Sequence, residues 1–319
     1  MRRADKSTQT DCKMAAILRS LAQAPARIIA VAGVTFTQLV RMRLFLVLAV
    51  FGIGFLALQF MPYQGQLGVE FRGVQQLQLI KDIAMGSMQL FGLIFCVGAT
   101  ALLIPRDTED RILYTILCKP VPRFDYLAGK ALGVMLLLGA MLLLMDGLMS
   151  ALLSLREVQL SADMQEALRH QGIAPDEMAP YLEQIHLAAN TADTQRAILA
   201  MYLGYGVLTT LTLLFSCFTS GTIVSMIFGL GAYFIGMFQG QLFTAITATG
   251  TDGTSPFMQH TQQIVSLLLP DFSLFTIADA ATAGTPLTWG MMGSLALIAA
   301  AYMLIHLLVA AWIFAHKEF

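Results

Sequence analysis

The sequence predicts an all-α integral membrane protein with six transmembrane helices, an N-terminal interfacial helix and one short cytoplasmic helix between the second and third spans. Three observations lead to this fold class. Of the 319 residues, 57% are hydrophobic and only 12% are charged, whereas soluble domains carry about 25% charged residues. The mean hydropathy is +0.70. Six apolar runs approach the roughly 20 residues that cross a bilayer as a helix.

The six spans are predicted from continuous apolar runs that show no two-residue alternation. A transmembrane β-barrel would need that alternation, and a helix satisfies its own backbone hydrogen bonds in lipid. Residues 1–25 are predicted to form a cytoplasmic tail, and residues 26–319 a single membrane domain. The spans cover approximately residues 44–61, 83–104, 131–155, 197–218, 221–243 and 291–314.

The orientation follows from the distribution of Lys and Arg. Residues 1–43, 105–130 and the C-terminal tail hold 8, 5 and 1 basic residues, while the opposite segments, 62–82, 156–196 and 244–290, hold 2, 3 and 0. Because cytoplasmic segments carry the excess of positive charge, both termini are predicted to lie in the cytoplasm. The protein is accordingly assigned to the cytoplasmic (inner) membrane.

The segment before the first span, residues 26–43, is amphipathic at helical spacing. It is predicted to lie in the membrane interface, with its basic residues at the lipid headgroups. A cytoplasmic extension of the first span is the alternative. The predicted polar side holds Arg27, Thr35, Gln38 and Arg41, and the predicted apolar side holds Ile29, Ala32, Phe36, Leu39 and Val40.

Two long segments, 156–196 and 244–290, are predicted to lie outside the cell. The first contains helix-start signals near Ser161 and at Pro175, so it predicts two short helices. The second contains an apolar patch, LLPDFSLF, that is too short to span. This patch is either a re-entrant or interfacial piece packed on the outer helix ends, or an ordinary loop. Gly129-x-x-x-Gly133 and Gly236-x-x-x-Gly240 would allow close helix approach.

The polar stretch between the second and third spans, residues 105–130, predicts a short capped helix. Pro105 should end the second span, and Asp107 or Thr108 can cap a new helix whose first turn is acidic. Lys119 stands at its C-terminal end, and Pro120 prevents continuation. A stiff helix with an apolar face and a charged rim is suited to docking a partner.

The motif IPRDTEDRILYTILCKPVPRFDYLAGKALG resembles the signature region of type-2 ATP-binding-cassette (ABC) exporter permeases. The resemblance implies a permease subunit that acts as a homodimer or as a heterodimer with a related chain. A separate ABC ATPase would bind ATP and magnesium, so no cofactor is expected in this chain. The lipid bilayer is also an expected partner. The long outer segments suggest a further partner, an extracytoplasmic accessory protein. Nucleic acid is not expected to bind.

The same resemblance implies which residues serve the partner. Asp107–Leu117 would be the coupling helix that sits in a groove of the ATPase, and Tyr126, Gly129 and Lys130 would mark the start of the third span. Arg111 departs from the family pattern, in which a small residue is frequent. The implied coupling residues are Asp107, Glu109, Leu113, Leu117, Lys119, Pro120 and Arg123.

No enzyme motif, catalytic residue or metal site is predicted, because the sequence lacks a Walker A motif, G-x-S-x-G, H-E-x-x-H and metal-spaced Cys or His. An autonomous secondary transporter or channel is the alternative function, and an integral membrane enzyme is a third. Asp146, placed within the third span, is a candidate for the transport path or for a hydrogen bond to another span, through Thr209, Thr210 or Tyr205. His306 is expected to be satisfied or lumen-facing. The substrate is not predicted.

Overall fold

The computed structural model describes residues 24–42, 50, 52–54, 57, 74–109, 122–170, 175–189, 191–219, 221–248, 270–276 and 288–316. Within these ranges the chain is helical, which confirms the all-α prediction. Seven α-helices and one short 3-10 helix organise the described part. They are α1 (Ala24–Val40), α2 (Val74–Glu109), α3 (Arg123–His170), α4 (Pro175–Ala188), α5 (Ala192–Phe218), α6 (Thr222–Ala248), the 3-10 helix Phe272–Phe275 and α7 (Trp289–His316).

Five of the described helices, α2, α3, α5, α6 and α7, are long and apolar enough to cross a membrane. Helix α5 lies at the centre, in contact with α2, α3, α6 and α7. The apolar stretches of α2 and α5 are 72% buried, while that of α7 is only 22% buried. The last value fits a helix whose apolar surface faces lipid tails rather than other helices.

Helix α2 is longer than predicted at both ends, with 36 residues instead of the span 83–104. The prediction that Pro105 ends this helix is wrong, because the helix continues to Glu109. A proline inside a helix removes one backbone hydrogen bond, and membrane helices tolerate this when other groups compensate. Beyond the proline, Thr108 Oγ1 donates to the Ile104 carbonyl at 2.9 Å, and Asp107 is held by contacts with α3.

Helix α3 also continues beyond its predicted end at residue 155. Its 48 residues measure about 72 Å at 1.5 Å per residue, more than twice the roughly 30 Å of a hydrocarbon core. The separate helix predicted to start near Ser161 is therefore wrong, since Ser161 lies inside α3. The second predicted helix of this segment is confirmed as α4, which begins at Pro175. Helix α4 packs against both α2 and α3.

Helix α1 packs directly on the first turns of α3, where two glycines leave room for its backbone. A Cβ atom built on Gly129 would lie 2.6 Å from Val31 Cβ, and one on Gly133 would lie 2.6 Å from Thr35 Cβ. The predicted division of faces is partly wrong, because Thr35 is fully buried and Ile29 is 65% exposed. Small side chains, rather than large apolar ones, make this contact because only they permit such close approach.

The LLPDFSLF patch packs against α5 and α6 through its second half. Asp271 caps the 3-10 helix by accepting from the Ser273 amide at 2.9 Å, and Phe272 and Phe275 are buried. A Cβ atom on Gly236 would lie 2.5 Å from the Pro270 carbonyl oxygen, and one on Gly204 would lie 2.7 Å from Phe275 Cβ. The segment therefore packs directly against Gly236. Of the two alternatives predicted for this patch, a piece packed on the helix ends or an ordinary loop, residues 270–276 show the packed one.

Some sequence predictions fall on residues that the structure does not describe. The first predicted span, 44–61, lies almost entirely outside the described residues. The central part of the predicted coupling helix, residues 110–117, and most of the outer segment 244–290 lie outside them too. The N-terminal tail is described only from Ala24 onwards.

Candidate functional site at the α2–α3 junction

The C-terminal end of α2 and the first turns of α3 are joined by a buried ion pair. The side chain of Asp107, in the last turn of α2, is fully buried, and that of Lys130 is 4% exposed. Lys130 Nζ lies 2.6 Å from Asp107 Oδ2. Tyr126, one helical turn before Lys130, donates its hydroxyl to the same oxygen at 2.5 Å. Charge-assisted hydrogen bonds of this length are among the strongest that side chains make.

Gln38 of α1 completes what we call the junction cluster, namely Gln38, Asp107, Tyr126 and Lys130. Its Nε2 is 3.4 Å from Asp107 Oδ1, and its Oε1 accepts from Lys130 Nζ at 3.3 Å. The amide therefore bridges both charges, while Lys130 Nζ also lies 5.7 Å from the centre of the Tyr126 ring. Three helices thus meet at one buried polar point.

Two further contacts tie neighbouring elements to the start of α3. Arg27 of α1 forms an ion pair with Asp125, with Nε 2.9 Å from Oδ2. Arg123, the first residue of α3, donates to the Phe314 carbonyl near the end of α7 at 2.6 Å. The rings of Tyr126 and Phe314 stack at 6.1 Å. Because α1, α2 and α7 all attach to α3 here, this end of the bundle is held together.

The buried ion pair fixes the end of α2 against the start of α3. Removing one member of a buried ion pair costs about 3–5 kcal/mol, since the other charge is left without compensation. The cluster therefore opposes any motion that separates α2 from α3 at this end. The chain that links the two helices, residues 110–122, begins and ends within a few residues of the cluster.

The predicted coupling residues fall into two groups. Glu109 is the last residue of α2 and Arg123 the first of α3, while Leu113, Leu117, Lys119 and Pro120 lie outside the described residues. Asp107 does not cap a new helix, since it belongs to α2 and is buried. Tyr126 and Lys130 contact the Asp107 carboxylate, and Gly129 packs against α1. Sequence reasoning missed Gln38 as a cluster member, although a buried lysine signals a need for polar partners.

The match to a protein family agrees with this architecture. A family model described as ABC-2 family transporter protein matches residues 29–319. The chain belongs to this family. No individual curated protein matches the chain significantly. ABC-2 permeases are multi-pass membrane proteins, they are normally non-catalytic subunits, and they generally pair with an ABC ATPase.

In this ABC-2 permease, Asp146 lies at the opposite end of the bundle from the junction cluster. It is 16 residues beyond Lys130 on α3, or about 24 Å along a helix, and it faces Gln195, the fourth residue of α5. Gln195 Nε2 donates to Asp146 Oδ1 at 2.9 Å, and Ser150 Oγ lies 3.4 Å from the same oxygen. Asp146 thus lies within α3, inside the predicted bounds of the third span, and its hydrogen-bond partner Gln195 stands in the first turn of α5.

The predicted hydrogen bond from Asp146 to another span exists, but its partner is Gln195 rather than Thr209, Thr210 or Tyr205. Thr210 instead bonds His306, with Oγ1 3.2 Å from Nδ1. His306 is buried and hydrogen-bonded, so it is a satisfied histidine, which is one of the two alternatives predicted for it. This contact joins α5 to α7 in the bundle interior.

Proposed function

We propose that the chain is the membrane-spanning subunit of an ABC exporter. A separate ATPase, docked on the segment 106–130, binds ATP and magnesium and supplies the energy. Two permease chains, identical or related, act together. The junction cluster carries this proposal, because it anchors both ends of the docking segment on a buried ion pair. A force applied to the segment would then move helices instead of being absorbed at a loose connection.

The orientation in this proposal places the junction cluster on the cytoplasmic side. The charge distribution supports it, since 14 of the 19 basic residues belong to segments that the sequence predicts on the cytoplasmic side. Both chain termini would then be cytoplasmic, and α4 would lie outside the cell. The exporter assignment is supported by the resemblance of residues 104–133 to exporter permeases.

Docking is tested by Leu117→Asp in the full-length chain. We expect this change to abolish co-purification of the ATPase, because a carboxylate would face an apolar contact. Val158→Asp is the matched control, since Val158 is 69% exposed and lies on the far part of α3. A complex that survives Leu117→Asp would overturn the docking role. Arg123→Glu is a less specific probe, since Arg123 also holds the Phe314 carbonyl.

The orientation has its own test in intact cells. A cysteine introduced at Tyr114 should react with a membrane-impermeant thiol reagent only after the cells are opened. Labelling of Tyr114→Cys in intact cells would place the docking segment outside and beyond the reach of a cytoplasmic ATPase.

A further inference from the structure

A cleft between α3 and α5 combines a carboxylate at one end with an apolar wall along the rest. Its volume is about 530 Å³, within the range of about 300–1,000 Å³ that is usual for ligand sites. Asp146 and Gln195 form the polar end. Apolar side chains line the remainder, among them Leu136, Leu143, Ile198 and Leu199.

The cleft opens at the side of the bundle, between α3 and α5. Leu143 is 71% exposed, and Leu136 and Leu199 are also exposed, so these side chains form a rim rather than a closed wall. Leu136 precedes Asp146 by ten residues on α3, or about 15 Å along the helix. The cleft therefore extends along α3 for about half of the roughly 30 Å thickness of a bilayer's hydrocarbon.

The polar end of the cleft is built to receive hydrogen-bond donors. Asp146 accepts from Gln195 and Ser150 through Oδ1, whereas an ionised carboxylate offers about four acceptor sites. Arg196, the neighbour of Gln195 in sequence, contacts Asp193 at 2.6 Å and lies 4.9 Å from the centre of the Trp289 ring. Arg196 does not line the cleft, and Asp146 is the one charged side chain that does, among the residues that the structure describes.

We propose that this cleft binds a cationic amphiphile, with its ammonium group hydrogen-bonded to Asp146 and its hydrocarbon chain lying along Leu143 and Leu136. An ammonium with N–H donors fits better than a quaternary one, which offers no donor and prefers the faces of several aromatic rings. Tyr202 is the single aromatic residue lining the described cleft, and its hydroxyl donates to the Met135 carbonyl at 3.2 Å. The proposal does not depend on the ATPase, because binding needs neither nucleotide nor partner.

The test is native mass spectrometry of the purified full-length chain with three ligands that share one hydrocarbon chain. These are dodecylamine, dodecyltrimethylammonium and dodecanoate. We expect dodecylamine to bind at least about tenfold more tightly than the other two, the scale of a hydrogen bond to a charged group. Equal binding of all three would overturn the proposal, and this comparison requires no variant.

Variants locate the site. Asp146→Asn should remove the preference for dodecylamine, and Leu143→Trp should weaken binding of all three ligands by filling the cleft. Asp163→Asn is the matched control, because Asp163 is an exposed carboxylate on the same helix, and it should bind as the parent does. A preference that persists in Asp146→Asn would overturn the assignment. A protein that is dimeric under all conditions and binds none of the three ligands would also overturn the proposal, because a second copy of the chain would then cover the cleft.

Discussion

Replacement of Lys130 by methionine tests whether the ion pair with Asp107 holds α2 to α3. Methionine keeps most of the side-chain length but removes the charge, so Asp107 would stay buried with only Tyr126 and Gln38 as donors. At 2.6 Å and an effective dielectric constant of about 20, the direct attraction is about 6 kcal/mol. The cost of taking both charges out of water offsets part of this attraction.

The net effect is a lower free energy of unfolding, by about 3–5 kcal/mol, because one partner of a buried ion pair is removed. We expect the lower part of this range, because Tyr126 still donates to Asp107 Oδ2. At roughly 2 °C per kcal/mol for chains of more than 150 residues, Lys130→Met should lower the melting temperature by at least about 6 °C. The measurement is fluorescence-detected gel filtration of the full-length protein after heating in detergent.

The double variant Asp107→Asn with Lys130→Met distinguishes the effect of breaking the ion pair from other effects of losing the Lys130 side chain. It removes both charges, so most of the lost stability should return, because neutral replacements of buried ion pairs are often tolerated. Arg169→Met, at an exposed position near the end of α3, is the control for loss of one basic residue. A single variant as stable as the parent, or a double variant less stable than either single one, would refute the coupling.

Two further predictions concern glycines against which a neighbouring segment packs closely. Gly133→Val should detach α1 and make the bond after Arg27 more susceptible to trypsin, whereas Gly147→Val should not, since a Cβ at Gly147 meets no atom within 4 Å. Unchanged cleavage in Gly133→Val would contradict the packing of α1 against Gly133. Gly236→Ala should accelerate hydrogen exchange in residues 270–276, because the new methyl group would lie 2.5 Å from the Pro270 carbonyl oxygen. Gly231→Ala, on the same helix with open space around it, should leave the exchange unchanged, and equal rates in both variants would disprove the contact.

Hydropathy predicted the helices that are apolar along their whole length. The span 197–218 is observed as Ala192–Phe218 and the span 291–314 as Trp289–His316, because each is bounded by polar or turn-forming residues. Helix α3 shows where this signal fails. The change to polar residues at Arg156 predicts the end of a helix, but in the structure it marks only where the helix becomes polar. No Gly or Pro interrupts the chain between Gly147 and Gly172, so local signals for continuation were present.

The position of Asp107 could not be derived from local sequence. An acidic residue two positions after a proline has the pattern of a helix cap, and that interpretation considers only the neighbours in sequence. The ion pair with Lys130 is a contact between two helices, and it can keep the last turn of α2 helical in spite of Pro105. The signal that would have found it is Lys130 itself, because an ionisable residue at the start of a span requires a partner.

The two polar sites of this permease are connected through α3. Lys130 and Asp146 lie on one uninterrupted helix, and their separation of 16 residues at 100° each turns their side chains to nearly opposite faces. Lys130 accordingly contacts α1 and α2, while Asp146 contacts α5. A helix of this kind transmits tilt or rotation along its length because its backbone hydrogen bonds resist bending. If the ATPase moves the junction cluster as proposed, the wall of the α3–α5 cleft that carries Asp146 and Leu143 must move against α5, so force applied at one end of the bundle would change the affinity of a site at the other.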